Sequence, residues 1–151
     1  MEFFGYVREN GQVASRNHVV IMPTVVCAND VAQAINRQVQ GTVGYFHHQG
    51  CCQLPPDLDR VTDTLISLGC SANAGAVLVV SLGCEGTDVE RLVKEISKTK
   101  KPVEIIKIQE LGGAANAIAE GIKKAQQLVQ KISVLHREKV DVKNIIMGIK
   151  C

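Results

Sequence analysis

Five short groups in this 151-residue chain carry side chains able to do chemistry. They are Pro23-Thr24-Val25-Val26-Cys27, His47-His48-Gln49-Gly50-Cys51-Cys52-Gln53, Leu82-Gly83-Cys84-Glu85, Gln109-Glu110-Leu111-Gly112-Gly113, and Cys151. Thiolates beside imidazoles suit zinc, iron or an iron-sulfur cluster, and ligands gathered from separate loops need no local CxxC spacing. Taken singly, each cysteine reads more plainly as a small buried hydrophobe. Clustering favours a site for Cys27, Cys51, Cys84 and Cys151, while Cys70 keeps the plain reading. Adjacent side chains such as Cys51 and Cys52 point apart in most backbones, so at most one of the two is expected to serve that site. His47 and His48 are candidate ligands or general bases, or loop residues held by hydrogen bonds. Glu85 is a base or a cap for nearby amides. Gly112-Gly113 opens a helix whose amides would cradle a carboxylate or phosphate.

What would bring these groups together is a parallel sheet, whose carboxyl edge collects the following loops and helix N-termini. Short β-branched runs predict strands at His18–Met22, Thr42–Phe46, Ala76–Ser81, Val103–Ile108 and Asn144–Ile149. Helical periodicity between them predicts helices at Asn29–Gln40, Pro56–Leu68, Thr87–Lys98 and Ala114–Glu138, with Asn29 capping the first. The expected fold is α/β: three layers, a mainly parallel central sheet of about five strands, and helices on both faces. Phe3–Val7 and Gln12–Ser15 flank Asn10-Gly11, which predicts an N-terminal β-hairpin beside that sheet. Every group named above except Cys70 then falls after a strand. Arg16-Asn17-His18 precedes the first parallel strand and is expected to be structural or interfacial.

Composition narrows the function classes. The chain is 46% hydrophobic and has a formal charge of +2, with no linker or repeat, so residues 1–151 read as one α/β domain with one aliphatic core. Near-neutral charge and only five aromatic residues argue against nucleic-acid binding. Its longest apolar stretch, Ala74–Leu82, is far short of the ~20 residues that span a bilayer, so a cytoplasmic protein with reduced thiols is expected. No G-x-G-x-x-G or G-x-x-x-x-G-K-[ST] motif supports nucleotide binding. Cys151 directly after an apolar run suggests a piece of a longer protein.

Several segments, in order, resemble the altronate/galactarate dehydratase family, which counts sulfolactate sulfo-lyase among its members. They are Gly5-Tyr6-Val7-Arg8, Arg16-Asn17-His18-Val19, Pro23-Thr24-Val25-Val26-Cys27, His47-x-x-Gly50-Cys51, Asn73-x-Gly75-Ala76-Val77-Leu78-Val79-Val80, Leu82-Gly83-Cys84-Glu85 and Gln109-Glu110-x-Gly112-Gly113. The departures are Ser81 in place of a usual Gly, Gln49 and Cys52 in place of common His and Gly, and Ala72 in place of a common Pro.

The resemblance implies the first half of a catalytic core and elimination of water, or of sulfite, from a small hydroxy acid. It implies iron, as a ferrous ion or an iron-sulfur cluster, held by Cys51, Cys84 and Cys151 with Cys27 as fourth candidate. His47 or His48 would be the base and Glu85 a further catalytic group. Thr24, Gln109, Gly112 and Gly113 would contact substrate. A C-terminal domain or partner subunit would complete the site, and the isolated piece is expected to turn over poorly and to self-associate. Two competing readings are a non-catalytic assembly domain with buried cysteines and a thiol redox protein using Cys51-Cys52.

Overall fold

A computed structural model describes residues 1–150. Cys151, expected as a ligand, lies outside the described residues. Among the described residues seven strands form: β1 Glu2–Val7, β2 Val13–Ala14, β3 His18–Pro23, β4 Thr42–Gly44, β5 Ala74–Ser81, β6 Val103–Lys107 and β7 Glu138–Asp141. The α-helices are α1 Asn29–Gln38, α2 Pro55–Cys70, α3 Val89–Ser97 and α4 Ala114–Ser133. No helix among the described residues is long and apolar enough to cross a membrane.

The centre is a parallel four-stranded sheet in the order β4-β3-β5-β6. All eight residues of β5 are buried, as a central strand covered on both faces requires. Period-two alternation divides the apolar side chains between two cores. Val19, Ile21, Ala76, Leu78, Val80 and Ile106 pack with α1 and α4 side chains such as Ile35, Ala117 and Leu128. Val20, Met22, Val77 and Val79 face the other way, onto Leu65 of α2 and Leu92 and Ile96 of α3. The three-layer α/β architecture expected from the sequence is therefore present.

The expected hairpin also forms, with Gly11 at φ +83° and its N–H donating to the Arg8 carbonyl at 2.8 Å. It belongs to a second, antiparallel sheet in the order β2-β1-β7. Arg8 clamps this sheet to the amino edge of the parallel one, donating to Ala72 O (2.9 Å), Asn17 Oδ1 (2.7 Å) and Arg16 O (3.0 Å). The structural reading of Arg16-Asn17-His18 follows from these bonds.

Three expectations fail. The fifth parallel strand, Asn144–Ile149, does not form; Val142–Asn144 is a 3-10 turn, and Ile146 and Ile149 are 98% and 91% exposed. The helix before it ends at Ser133 rather than Glu138, because the buried stripe stops at Ile132 and Asn17 Nδ2 takes the Ile132 carbonyl at 2.8 Å. The chain released there supplies β7 to the open edge of β1. Asn29 is also not a cap: a 3-10 turn over Val26–Ala28 runs straight into α1, and Asn29 Nδ2 instead donates to His47 O at 2.7 Å.

Candidate active site at the carboxyl edge

The chain leaves β3 to form β4 on one side of it, then crosses to form β5 on the other side. At such a reversal the following loops diverge and open a crevice at the carboxyl ends of the strands. Here the loops after β3 and β5 flank that crevice, and backbone bonds tie them to the loop after β4. Val26 N donates to Gln49 O at 2.9 Å and Gly86 N to Gly50 O at 3.0 Å, while Thr87 Oγ1 donates to Thr24 O at 2.8 Å. Gly50 is required where they meet: its φ is +99°, and a Cβ there would lie 2.5 Å from Thr24 O.

Glu85 lies in the crevice as an anchored anion. Thr24 Oγ1 donates to its Oε1 at 2.5 Å, Leu82 N to Oε1 at 3.2 Å and Gly83 N to Oε2 at 2.6 Å. Partial burial opposes ionisation, but hydrogen bonds from Ser81, Thr24 and the Glu85 and Gly83 amides outweigh it and hold the carboxyl below its usual range. Amide capping and a place in the crevice were both readable in Leu82-Gly83-Cys84-Glu85. The supporting hydroxyls of Ser81, Thr24 and Thr87 are all buried. Sequence reasoning missed Ser81 and Thr87 as part of this cluster; a polar residue ending the apolar run of β5 was the available signal.

The histidines differ in freedom. His47 Nδ1 accepts from Gln49 N at 3.2 Å, which leaves Nε2–H to donate to Pro23 O at 2.8 Å. Both nitrogens thus hold the loop after β4 against the end of β3. His48 is exposed, with Nε2 2.8 Å from the Gln49 amide nitrogen. A cavity of about 720 Å³ lies beside this loop, between Tyr45, His47 and Gln53 and the α2 residues Arg60 and Leu65.

Cys27, Cys51, Cys52 and Cys84 are free and exposed, and Cys70 is partly buried against Glu95 O, away from them. Cys51 and Cys52 do not point apart: their sulfurs are 3.5 Å from one another, because Cys52 adopts φ +56°. The Cys51 thiol is pushed up, first by its hydrogen bond to Cys52 and the charge there, then by desolvation and by the charges of Cys27 and Cys84. Those last two contributions put Cys27 and Cys84 each within electrostatic reach of Cys51. In kind the thiols suit a soft metal, and they stand on the loops after β3, β4 and β5. Among the described residues, no three His, Cys, Asp or Glu side chains are already converged on a metal-sized point.

On the other flank, Gln109 Nε2 donates to Cys84 Sγ at 3.4 Å and its side chain packs on Gly83, where φ is +116°. A cavity of about 600 Å³ adjoins Glu85 and Gln109 and is bordered by Lys94 and Lys107, two cations that sequence reasoning did not single out. Gly112 and Gly113 adopt φ +78° and +121°, and Gly113 leads into α4, whose first turn holds no acidic residue. Thr24 hydroxyl is already committed to Glu85 and is buried, so of the expected substrate contacts Gln109 and the two glycines are the accessible ones.

Thiols, an imidazole and a fixed carboxylate thus collect at the topological switch of a doubly wound α/β sheet, where ligands of such folds bind. The chain belongs to the D-galactarate dehydratase/altronate hydrolase family: the model of that family's second domain matches residues 5–133. It is 39% identical over 149 residues to the sulfolactate sulfo-lyase subunit beta of Chromohalobacter salexigens, covering 99% of this chain and 38% of the relative. It is 28% identical over 159 residues to altronate dehydratase of Bacillus subtilis, covering 99% of this chain and 32% of that protein. Against altronate dehydratase of Escherichia coli the identity is 40% over 94 residues, 56% of this chain and 19% of the relative. The chain thus spans less than two fifths of the length of each of these curated relatives.

Proposed function

We propose that this chain forms one wall of the active site of a lyase that removes water, or sulfite, from a hydroxylated carboxylic acid. The observation that carries the reading is that the exposed thiols Cys27, Cys51 and Cys84 stand on the loops after β3, β4 and β5, at the same sheet edge as the anchored Glu85. Abstracting a proton beside a carboxylate builds a second negative charge, so the site needs a base and a cation together. Cys27, Cys51 and Cys84, with Cys151, would hold iron, as a ferrous ion or a cluster. Iron would supply the Lewis acidity that stabilises this charge and draws off the leaving group.

The remaining roles follow from the freedom of each side chain. His48, exposed, is the base that accepts the proton; His47, engaged at both nitrogens, positions the loop carrying His48 and Cys51. Glu85 stays ionised and fixes the charge facing the cation. Gln109 and the amides at Gly112-Gly113 receive the substrate carboxylate at the start of α4. The exposed thiols leave the edge open to water, so the 151 residues alone turn over poorly, and a further domain or partner subunit closes the site.

The test is anaerobic assay of the full-length parent with ferrous iron on altronate, galactarate and sulfolactate, beside its Cys84→Ser variant. Turnover of one acid, lost in the variant, supports the reading. An iron-loaded parent inactive on all three, or a variant as active as the parent, overturns it. A non-catalytic assembly role is the second reading, favoured by the exposed Ile146 and Ile149. Protein that stays colourless after anaerobic iron reconstitution would support that role.

A further inference from the structure

Adjacent residues on an extended strand project to opposite faces, which keeps neighbouring sulfurs apart. Cys51 and Cys52 break that rule. The left-handed φ of +56° at Cys52 turns its side chain back towards Cys51, and the two sulfurs are in contact at 3.5 Å. Both residues are exposed, so a small oxidant reaches them. The backbone on either side is held: Gly50 N donates to Gln53 Oε1 at 2.9 Å, bracketing the pair, and Gly50 O accepts from Gly86 N at 3.0 Å. Gln49 O accepts from Val26 N at 2.9 Å. An S–S bond of about 2.05 Å between neighbouring residues closes an eight-membered ring across a Cα–Cα span of ~3.8 Å, shorter than the usual ~4.4–6.8 Å, so the bond is strained and readily reduced.

We propose that Cys51 and Cys52 are a reversible oxidation site, closed by peroxide into a disulfide between neighbouring residues and opened again by a dithiol. One sulfur attacks a peroxide oxygen; the O–O bond breaks and one water leaves, giving a sulfenic acid. The second sulfur then attacks the sulfenic sulfur, the S–S bond forms, the S–O bond breaks, and the departing hydroxide leaves as water with the second thiol's proton. Two thiols are oxidised by two electrons in total, and one peroxide is reduced to two waters. The consequence for turnover rests on the reading of Cys51 as an iron ligand: a disulfide sulfur is no longer a thiolate donor, so oxidation would switch the lyase off. The disulfide itself does not depend on that reading.

Tryptic cleavage after Arg37 and Arg60 isolates residues 38–60, whose only cysteines are Cys51 and Cys52. The experiment treats the metal-free, reduced chain with hydrogen peroxide, blocks remaining thiols with iodoacetamide, and weighs the peptides. The expected peptide 38–60 is unalkylated and lighter by two hydrogen atoms, regains both thiols with dithiothreitol, and coexists with a fully alkylated Cys27 peptide. In Cys52→Gly, which suits the left-handed backbone, Cys51 gives no such intrapeptide product. A peptide 38–60 that stays fully alkylated while other cysteines oxidise, or a crosslink from Cys51 to Cys27 or Cys84, overturns the proposal. In the iron-loaded parent, dithiothreitol-reversible loss of activity by tenfold or more should disappear in Cys52→Gly. A parent inactive before oxidation counts against the lyase reading alone, and the peptide masses still decide the disulfide.

Discussion

The Thr24 hydroxyl donates to Glu85 Oε1 at 2.5 Å, joining the loop after β3 to the loop after β5 across the point where the strand order reverses. Crevices at such reversals are usually left to the ligand. In this molecule the two walls are connected by a partly buried, charge-assisted hydrogen bond. Thr24→Val keeps the shape and removes the donor. It should destabilise the chain by about 2 kcal/mol, within the range for a hydrogen bond to a charged group, whereas Thr24→Ser stays close to wild type. Urea denaturation of the three proteins checks this, and equal midpoints for Val and wild type would contradict it.

Gly50→Ala should be more damaging than its single added methyl suggests. Its Cβ would lie 2.5 Å from Thr24 O and 2.9 Å from Val25 Cα, at a φ of +99°. Backbone strain and the clash together should cost about 2 kcal/mol or more. Because Gly50 O also receives Gly86 N, amide hydrogen exchange should rise at Gly86 as well as in residues 49–53. Unchanged protection at Gly86 would show that the loops are not coupled through this contact.

Thiol protection reads metal binding without reference to turnover. Anaerobic ferrous iron should slow carboxymethylation of Cys27, Cys51 and Cys84 by about tenfold and leave Cys70, which faces Glu95 O, unaffected. Equal slowing at all four would mean a general effect of the ion, and no slowing would remove these thiols as ligands in the isolated chain.

Lys101 gives the pH dependence a sign. Its Nζ donates to Gly69 O and Ser71 O, both at 2.8 Å, and closes the end of α2. Burial lowers its pKa from 10.5 to about 8, with Arg8 adding to the shift and Cys70 opposing it. Between those two values the unfolded chain holds a proton that the folded chain has lost, so this group makes stability rise with pH across the window. Allowing for solvent screening of a half-exposed amine, the rise is of the order of 1 kcal/mol. Denaturation midpoints across the window should climb more steeply in wild type than in Lys101→Met; parallel curves would refute the assignment.

Elements whose partners are nearby in sequence, or whose burial is total, were readable in advance. The run Ala76–Ser81 could only be a central strand, and the helical stripes of α1 to α4 defined which faces meet the sheet. Glu85 as an amide cap was equally local, since Gly83 lies two residues away. Asn144–Ile149 was misread because a terminal apolar run carries no information about which edge will accept it. Residues 138–141 carry no apolar run to mark a strand, yet β1 offers them an open ladder. The Asn29 bond to His47 O, the union of Ser81, Thr24 and Thr87 beneath Glu85, and the contact of the two adjacent sulfurs all depend on long-range placement or on one unusual φ angle. None of these has a periodicity to detect.

The pairing of β1 with β7 sets how the molecule yields to mechanical load. Glu2 lies opposite Asp141 and Gly5 opposite Glu138, and Val142 N donates to Met1 O at 3.0 Å. A pull that separates these two segments therefore loads the ladder one rung at a time, because antiparallel hydrogen bonds lie across the strands and open in turn like a zip. A translocating protease gripping either segment would meet its weakest resistance first and strip β7 from β1. The four-stranded parallel sheet, whose buried β5 has neighbours on both sides, would bear force only after the antiparallel sheet had come away.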